Sequence, residues 1–349
     1  MINGHGDDRK SYTKPIRADF SSNVWFEGTD PELIVHLQQN MHLIGNYPEP
    51  DAATFCQQVA AHHRVESNQV LAFNGSVEAF YTVALTFRAS VSAILYPAFA
   101  EYEDACRIHS HHLQFFLKSD WQKAMDTNPS MIWIGNPNNP DGGIFQFQEL
   151  TGAVEQHPNT IFIIDEAYAG FYPEFQSSIE LTKSFENLIV VRSLTKCCAI
   201  PGLRLGYVVA SNTLASKIKQ FQQPWSVNAL AQEAGIFLLN ARNSLDTKHI
   251  TQLSVDLQHE INRIEGFKVI LSKAPFFLIE MHHGNASQLK QFLLDEHGIL
   301  IRDASNFRGL NERFFRVCTR NENDNQLLFA GLKSYSINFN QSNHRAKSH

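Results

Sequence analysis

Six short apolar runs between residues 70 and 210 constrain this chain more than any other feature. They are "VLAF" (70–73), "AILY" (93–96), "MIWI" (131–134), "TIFII" (160–164), "LIVV" (188–191) and "YVVA" (207–210). Each is continuous rather than alternating, the pattern of a strand covered on both faces. Helical patterns separate most of them. After Ser76, apolar residues fall at Val77, Phe80, Tyr81, Ala84 and Leu85, the spacing of one helix face. The expected fold class is therefore α/β, a mostly parallel sheet with helices on both faces.

Beyond residue 266 the pattern changes to "FFLIEM", a helical stretch at 286–297, "GILIRD", "FFRVCTR" and a last helix near 324–335. A smaller α+β domain is expected there. The expected organisation is an N-terminal segment 1–46 packing on the small domain or a partner subunit, a large domain 47–250, a small domain 251–337 and a polar, loose tail 338–349. A length of 349 residues with 43% hydrophobic and 18% charged residues suits this two-domain globular reading.

The composition also narrows the function classes. A formal net charge of −6 argues against nucleic acid as the main partner. No apolar run reaches membrane-spanning length, and "MINGHGDDRKSYTK" has no apolar signal core. The five cysteines (56, 106, 197, 198, 318) show no CxxC or zinc spacing, which fits a reduced cytoplasm. Adjacent Cys197 and Cys198 read as small packing residues. His109, His111 and His112 form the sharpest histidine cluster, without the neighbouring cysteines or acids of a metal site, and no metal is expected.

Open α/β sheets bind ligands beyond the carboxyl ends of their strands. The residues just past each run are therefore informative. Asn74-Gly75-Ser76 comes after the first, "PAFAEY" ending at Tyr102 after the second, and "GNPNNPDGG" (135–143) after the third. Asp165-Glu166-Ala167-Tyr168 comes after the fourth, and Ser193-Leu194-Thr195-Lys196 after the fifth. Taken singly, each is a turn, a cap or a core aromatic. Together they match one ligand. Amides of Gly75, Ser76 and Val77 at a helix start suit a phosphate, with Arg204 as a bidentate clamp. Asp165 can pair with a protonated ring nitrogen, and Asn139 and Tyr168 can hydrogen-bond a phenolic oxygen. Tyr102 can stack on an aromatic ring. Lys196 can condense with an aldehyde. A flat, phosphorylated pyridine aldehyde, pyridoxal 5′-phosphate (PLP), meets all of these.

The blocks "NPNNPDG", "DEAY" and "SLTK…GLRLGY" resemble, in order and spacing, the fold-type I PLP enzymes of the class I/II aminotransferase superfamily, over nearly the whole chain. The resemblance implies Lys196 as the cofactor lysine and Asp165 as the partner of the pyridine nitrogen, with Tyr168 in the catalytic set. It implies Ser76, Val77, Ser193 and Arg204 as phosphate contacts. It also implies a homodimer, in which Tyr47 of "GNYPEP" reaches the neighbouring subunit's phosphate. Two departures stand out: Pro140-Asp141-Gly142 where the family usually writes "NPTG", and Ser76-Val77-Glu78 where a second hydroxyl or acid often follows the phosphate glycine. Within the superfamily, "SLTK", "AIPGLRLGY", "QPWSVNALA" and an early "GHG" resemble the threonine-phosphate decarboxylases of the cobalamin pathway, with histidinol-phosphate aminotransferases as near relatives. That resemblance implies a phosphorylated amino acid or amine as substrate, held by His5, Arg302 and Arg316.

Overall fold

The computed structural model describes residues 9, 12–172, 174–241 and 246–346. The chain folds as two compact units: residues 27–138 and 144–245 make the larger, and residues up to 26, 139–143 and from 246 onward make the smaller.

The larger unit is built on a seven-stranded sheet. In spatial order its strands are Val70–Phe73, Gly206–Ala210, Leu188–Ser193, Ile161–Asp165, Met131–Gly135, Val91–Tyr96 and His112–Leu117. Pairing is parallel except for Gly206–Ala210, which runs antiparallel to both of its neighbours. The expected mostly parallel sheet is what forms. The period-2 geometry of a strand divides each apolar run between two cores. Ile132, Ile134, Phe162 and Ile164 pack into one, while Met131, Trp133 and Ile163 pack into the other. Such double coverage is why these runs are continuous in sequence.

His112–Leu117 was not among the six expected strands. It is an edge strand of half-exposed residues, so its sequence, "HLQFFL", carries no unbroken apolar signal. His111, just before it, is buried, with Nδ1 against Ser92 Oγ at 2.8 Å and Nε2 against the Ala84 carbonyl at 2.8 Å. Both of its ring nitrogens serve packing.

In the smaller unit a four-stranded antiparallel sheet has the order Arg302–Asp303, Phe314–Cys318, Phe276–Met281, Phe267–Ile270. Helices Thr247–Ile261, Ala286–Phe292 and Glu322–Ala346 belong to it. The last helix carries on well past residue 335, through polar residues expected to form a loose tail. The N-terminal segment contributes a short strand, Ala18–Asp19, paired in parallel with Ile299–Leu300. Arg320 fixes the stretch after that strand by donating to the carbonyls of Asp19 (2.5 Å), Ser22 (3.0 Å) and Val24 (3.2 Å). Residues 27–46, which include helix Pro31–Gln39, fold with the larger unit.

Gly142 explains why the short piece 139–143 goes with the smaller unit. Its φ is +66°, and a Cβ there would lie 2.9 Å from Ala274 Cβ and 3.0 Å from the Phe276 carbonyl oxygen. Only glycine allows both that backbone and that approach. Asp141 Oδ1 accepts from the Gly143 amide at 2.9 Å, so the aspartate that departs from the family pattern serves as a turn residue.

Candidate active site

Within the larger unit, the carboxyl ends of the parallel strands bring the expected residues to one edge of the sheet. The register places Gly135 beside Asp165, Asp165 beside Val191, Ser193 beside Gly206 and Gly206 beside Phe73. Because Gly206–Ala210 runs backwards, its start lies at the same edge. That brings Arg204 to the beginning of helix Gly75–Thr86.

There the backbone leaves no room for side chains. Gly75 has φ +80°, and a Cβ on it would collide with Arg204 Nη2. A Cβ on Gly206 would fall 2.7 Å from the Ser76 amide nitrogen. The two glycines let a guanidinium and the first amides of a helix converge, an anion cradle that any larger residue would fill. The Asn74 side chain makes no capping bond to this helix. Glu78, whose charge would oppose an anion here, spends its carboxylate on the Asn74 amide at 2.5 Å. Ser193 Oγ lies 2.8 Å from Thr195 Oγ1 and accepts from the Thr195 amide at 3.3 Å, which fixes the turn leading to Lys196.

Asp165 ends its strand only 7% exposed. Oδ2 accepts from the Tyr102 hydroxyl at 2.5 Å and Oδ1 from the Ala167 amide at 2.9 Å. Burial pushes its pKa up to about 6, although both hydrogen bonds and the charge of Lys196 pull it down. A buried carboxylate held by two donors, at a strand end next to a phosphate-sized cradle, fits the protonated nitrogen of a pyridine ring. The residues present thus fit PLP.

Tyr102 is only 2% exposed, and its ring stacks on Trp133 at 5.9 Å and 25°. Its hydroxyl is spent on the bond to Asp165. Replacement by Phe keeps the ring and deletes that bond, worth about 1.5–3 kcal/mol when the acceptor is charged. Tyr102→Phe should therefore raise the Asp165 pKa above about 6 and move the midpoint of pH-dependent PLP binding upward. An unchanged midpoint in a fluorescence titration would leave Tyr102 with stacking alone.

Tyr168 is buried in the turn after Asp165. Tyr47 is 88% exposed, its ring 5.8 Å from that of Trp225. Sequence reasoning missed the support beneath this edge. Glu166, fully buried, accepts from Arg192 Nη1 (2.9 Å), Ser177 Oγ (2.6 Å) and the Ser178 amide (2.6 Å). "DEAY" marks the stretch, but nothing in it says which acid faces the ligand and which the scaffold.

In the smaller unit, Arg302 and Arg316 stand directly opposite each other across an antiparallel pair. Arg316 is 4% exposed and donates to Asn139 Oδ1 at 2.5 Å and to the Ser21 carbonyl at 2.7 Å. Asn139 thus commits its oxygen to Arg316, and its amide nitrogen is the half that can donate to a phenolic oxygen. Arg302 donates to the Asp303 carbonyl at 2.7 Å and to Asn306 Oδ1 at 2.9 Å, with its guanidinium 5.6 Å from the Phe307 ring centre. His5 lies outside the described residues.

Sheet, cradle and buried carboxylate define a PLP-dependent enzyme of the aminotransferase fold. Residues 18–331 match the family model for aminotransferase class I and II, and the chain belongs to that family. It is 40% identical to the crystal structure of L-threonine-O-3-phosphate decarboxylase from Porphyromonas gingivalis, with a TM-score of 0.89 over 91% of this chain and 99% of that one. It is 31% identical to threonine-phosphate decarboxylase of Salmonella typhimurium over 90% of both chains. Histidinol-phosphate aminotransferase of Thermoanaerobacter pseudethanolicus is 29% identical, over 91% of this chain and 93% of the relative. Among the described residues, no helix is long and apolar enough to cross a membrane.

Proposed function

We propose that this chain decarboxylates a phosphorylated amino acid, O-phospho-L-threonine, with Arg302 and Arg316 holding its two anionic groups. The observation that carries the reading is the placement of these arginines as direct cross-strand neighbours. Like charges in that position are destabilising. The register sets the two guanidinium-bearing side chains on one face of the sheet, where two positive charges suit a substrate that carries two anionic groups. A free amino acid brings one such group and a phosphorylated one brings two. Among solved structures, the 40% identity to one named as the decarboxylase, against 25% to one named as a histidinol-phosphate aminotransferase, supports the same reading.

Bound, PLP supplies an aldehyde for amine chemistry and a conjugated ring that takes up the electron pair left when a bond at the substrate Cα breaks. The chain's residues do the rest. Lys196 supplies the amine that holds the aldehyde. Gly75, Ser76, Val77, Ser193 and Arg204 hold the cofactor phosphate, and Asp165 keeps a proton on the ring nitrogen. Tyr168 and the amide of Asn139 hold the phenolic oxygen. Arg316, fixed by Asn139 and Ser21, presents its guanidinium to the carboxylate. Arg302 and His5 take the substrate phosphate.

Arg302 is half-buried, and losing a hydrogen bond to a charged group costs roughly 1.5–3 kcal/mol of binding. Arg302→Ala should therefore raise KM for phosphothreonine by that amount while leaving PLP affinity unchanged. The assay that tests the function offers phosphothreonine alone, and separately histidinol phosphate with 2-oxoglutarate. CO₂ from the first is the expected result. Glutamate from the second, with no CO₂ from the first, would make the chain an aminotransferase.

The enzyme acts as a homodimer in this proposal. Tyr47, Ile44, Met41 and Trp225 are large and exposed, and an apolar surface of this kind marks an interface. Tyr47 then reaches the partner's cofactor phosphate. Sedimentation should find a dimer at assay concentration, and an active monomer would exclude shared sites. Five free cysteines support a reducing cytoplasm as the enzyme's location.

A further inference from the structure

Directly after Lys196 stand two cysteines whose sulfurs lie 3.7 Å apart. We propose that Cys197 and Cys198 are a site of reversible oxidation, closed by a hydroperoxide into a disulfide between neighbouring residues that displaces Lys196. The functional consequence rests on the proposed role of Lys196 in holding PLP; the thiol chemistry does not.

The pair differs from the other three cysteines. Cys56, Cys106 and Cys318 are buried, and burial pushes the first two thiols up to about 12, which leaves them inert. Cys197 and Cys198 are both part-exposed. Cys197 packs against Gly170, where a Cβ would come 2.7 Å from its sulfur. The bond between the two sulfurs, together with the Arg192 guanidinium, holds the Cys197 thiol below its ordinary range, against burial. The same bond keeps Cys198 protonated. One sulfur is thus primed as a thiolate, and its neighbour keeps a proton to give.

The chemistry balances in two steps. Cys197 thiolate attacks one oxygen of the hydroperoxide; an S–O bond forms, the O–O bond breaks, and hydroxide or alkoxide leaves. Cys198 sulfur then attacks Cys197 sulfur. The S–S bond forms, the S–O bond breaks, and the oxygen departs as water with the Cys198 proton. Two thiols have lost two electrons and the peroxide has gained them.

Closure must move the backbone. Consecutive Cα atoms are about 3.8 Å apart, less than the roughly 4.4–6.8 Å that disulfides usually span. The turn holding the pair already has Ala199 at φ +50°, and its amide bonds the Lys196 carbonyl at 3.3 Å. Bridging shifts that turn, and Lys196 with it. A bridge closed under such constraint is easily reduced, as regulatory disulfides are.

The test treats holoenzyme with a small excess of hydrogen peroxide and maps its thiols by alkylation and mass. The expected product has lost two hydrogens, resists alkylation at 197 and 198, and regains both thiols with dithiothreitol. Activity should fall about 10²-fold, the scale on which a misplacement of about 1 Å acts, and return on reduction. Cys198→Ser should stop at a sulfenic acid trapped by dimedone on Cys197, and Cys197→Ser should give neither product. Thiols that alkylate as before, or dimedone on residue 198, would overturn the site. A bridged enzyme of undiminished activity would overturn the link to Lys196. The same mapping on cofactor-free wild type gives the thiol result even if the PLP assignment fails, and needs no variant to fold.

Discussion

Lys196→Ala should yield a folded protein whose turnover is lower by about 10⁵–10⁶-fold, the scale seen when a covalent catalytic group is removed. The turn that presents Lys196 is held by groups the substitution leaves in place: the Thr195 amide on Ser193 Oγ and the Ala199 amide on the Lys196 carbonyl. Strand Leu188–Ser193 behind it is buried through its apolar residues. Circular dichroism should therefore match the wild type, while borohydride treatment should no longer fix PLP to the protein. Cofactor still fixed to the variant would assign the covalent link to another lysine.

Much of the fold was legible because a doubly covered sheet writes its strands as unbroken apolar runs. Asp165 and Ser193 could be placed at strand ends by counting from those runs. The strand that escaped, His112–Leu117, lies at the edge, where one-sided exposure dilutes the signal. Arg320 escaped for another reason. It sits near Arg316 in one stretch, and only tertiary structure shows that it grips the backbone carbonyls of residues 19–24. The Tyr102–Asp165 bond spans 63 residues, so no local pattern could encode it. Similarly, the pattern "NGSVE" does not show that the Glu78 carboxylate accepts from the Asn74 amide. Spacing shows which residues reach an edge. It does not show which of them face a ligand and which hold those that do.

Asp165→Asn should lower turnover by roughly 10³–10⁴-fold, about 4–5.5 kcal/mol of transition-state stabilisation at 1.36 kcal/mol per decade. An amide of the same shape keeps the site packed but cannot pair with a protonated ring nitrogen, so the ring withdraws electrons less strongly. The pH dependence separates this role from mere packing. In cofactor-free protein, burial raises the Asp165 pKa from 3.8 to about 6. A carboxyl raised in this way contributes stability below its unfolded pKa and loses it as pH rises through the folded value. Between about pH 4 and 6, cofactor-free wild type should therefore lose stability relative to Asp165→Asn. PLP reverses the preference, because the protonated ring pairs with the ionised carboxylate. Wild-type affinity for PLP should thus fall as pH falls through about 6, while the variant's weaker affinity should change little over that window. Parallel thermal melts and PLP titrations of the two proteins from pH 4.5 to 8 read both effects, and equal slopes in wild type and variant would remove Asp165 from the ring nitrogen.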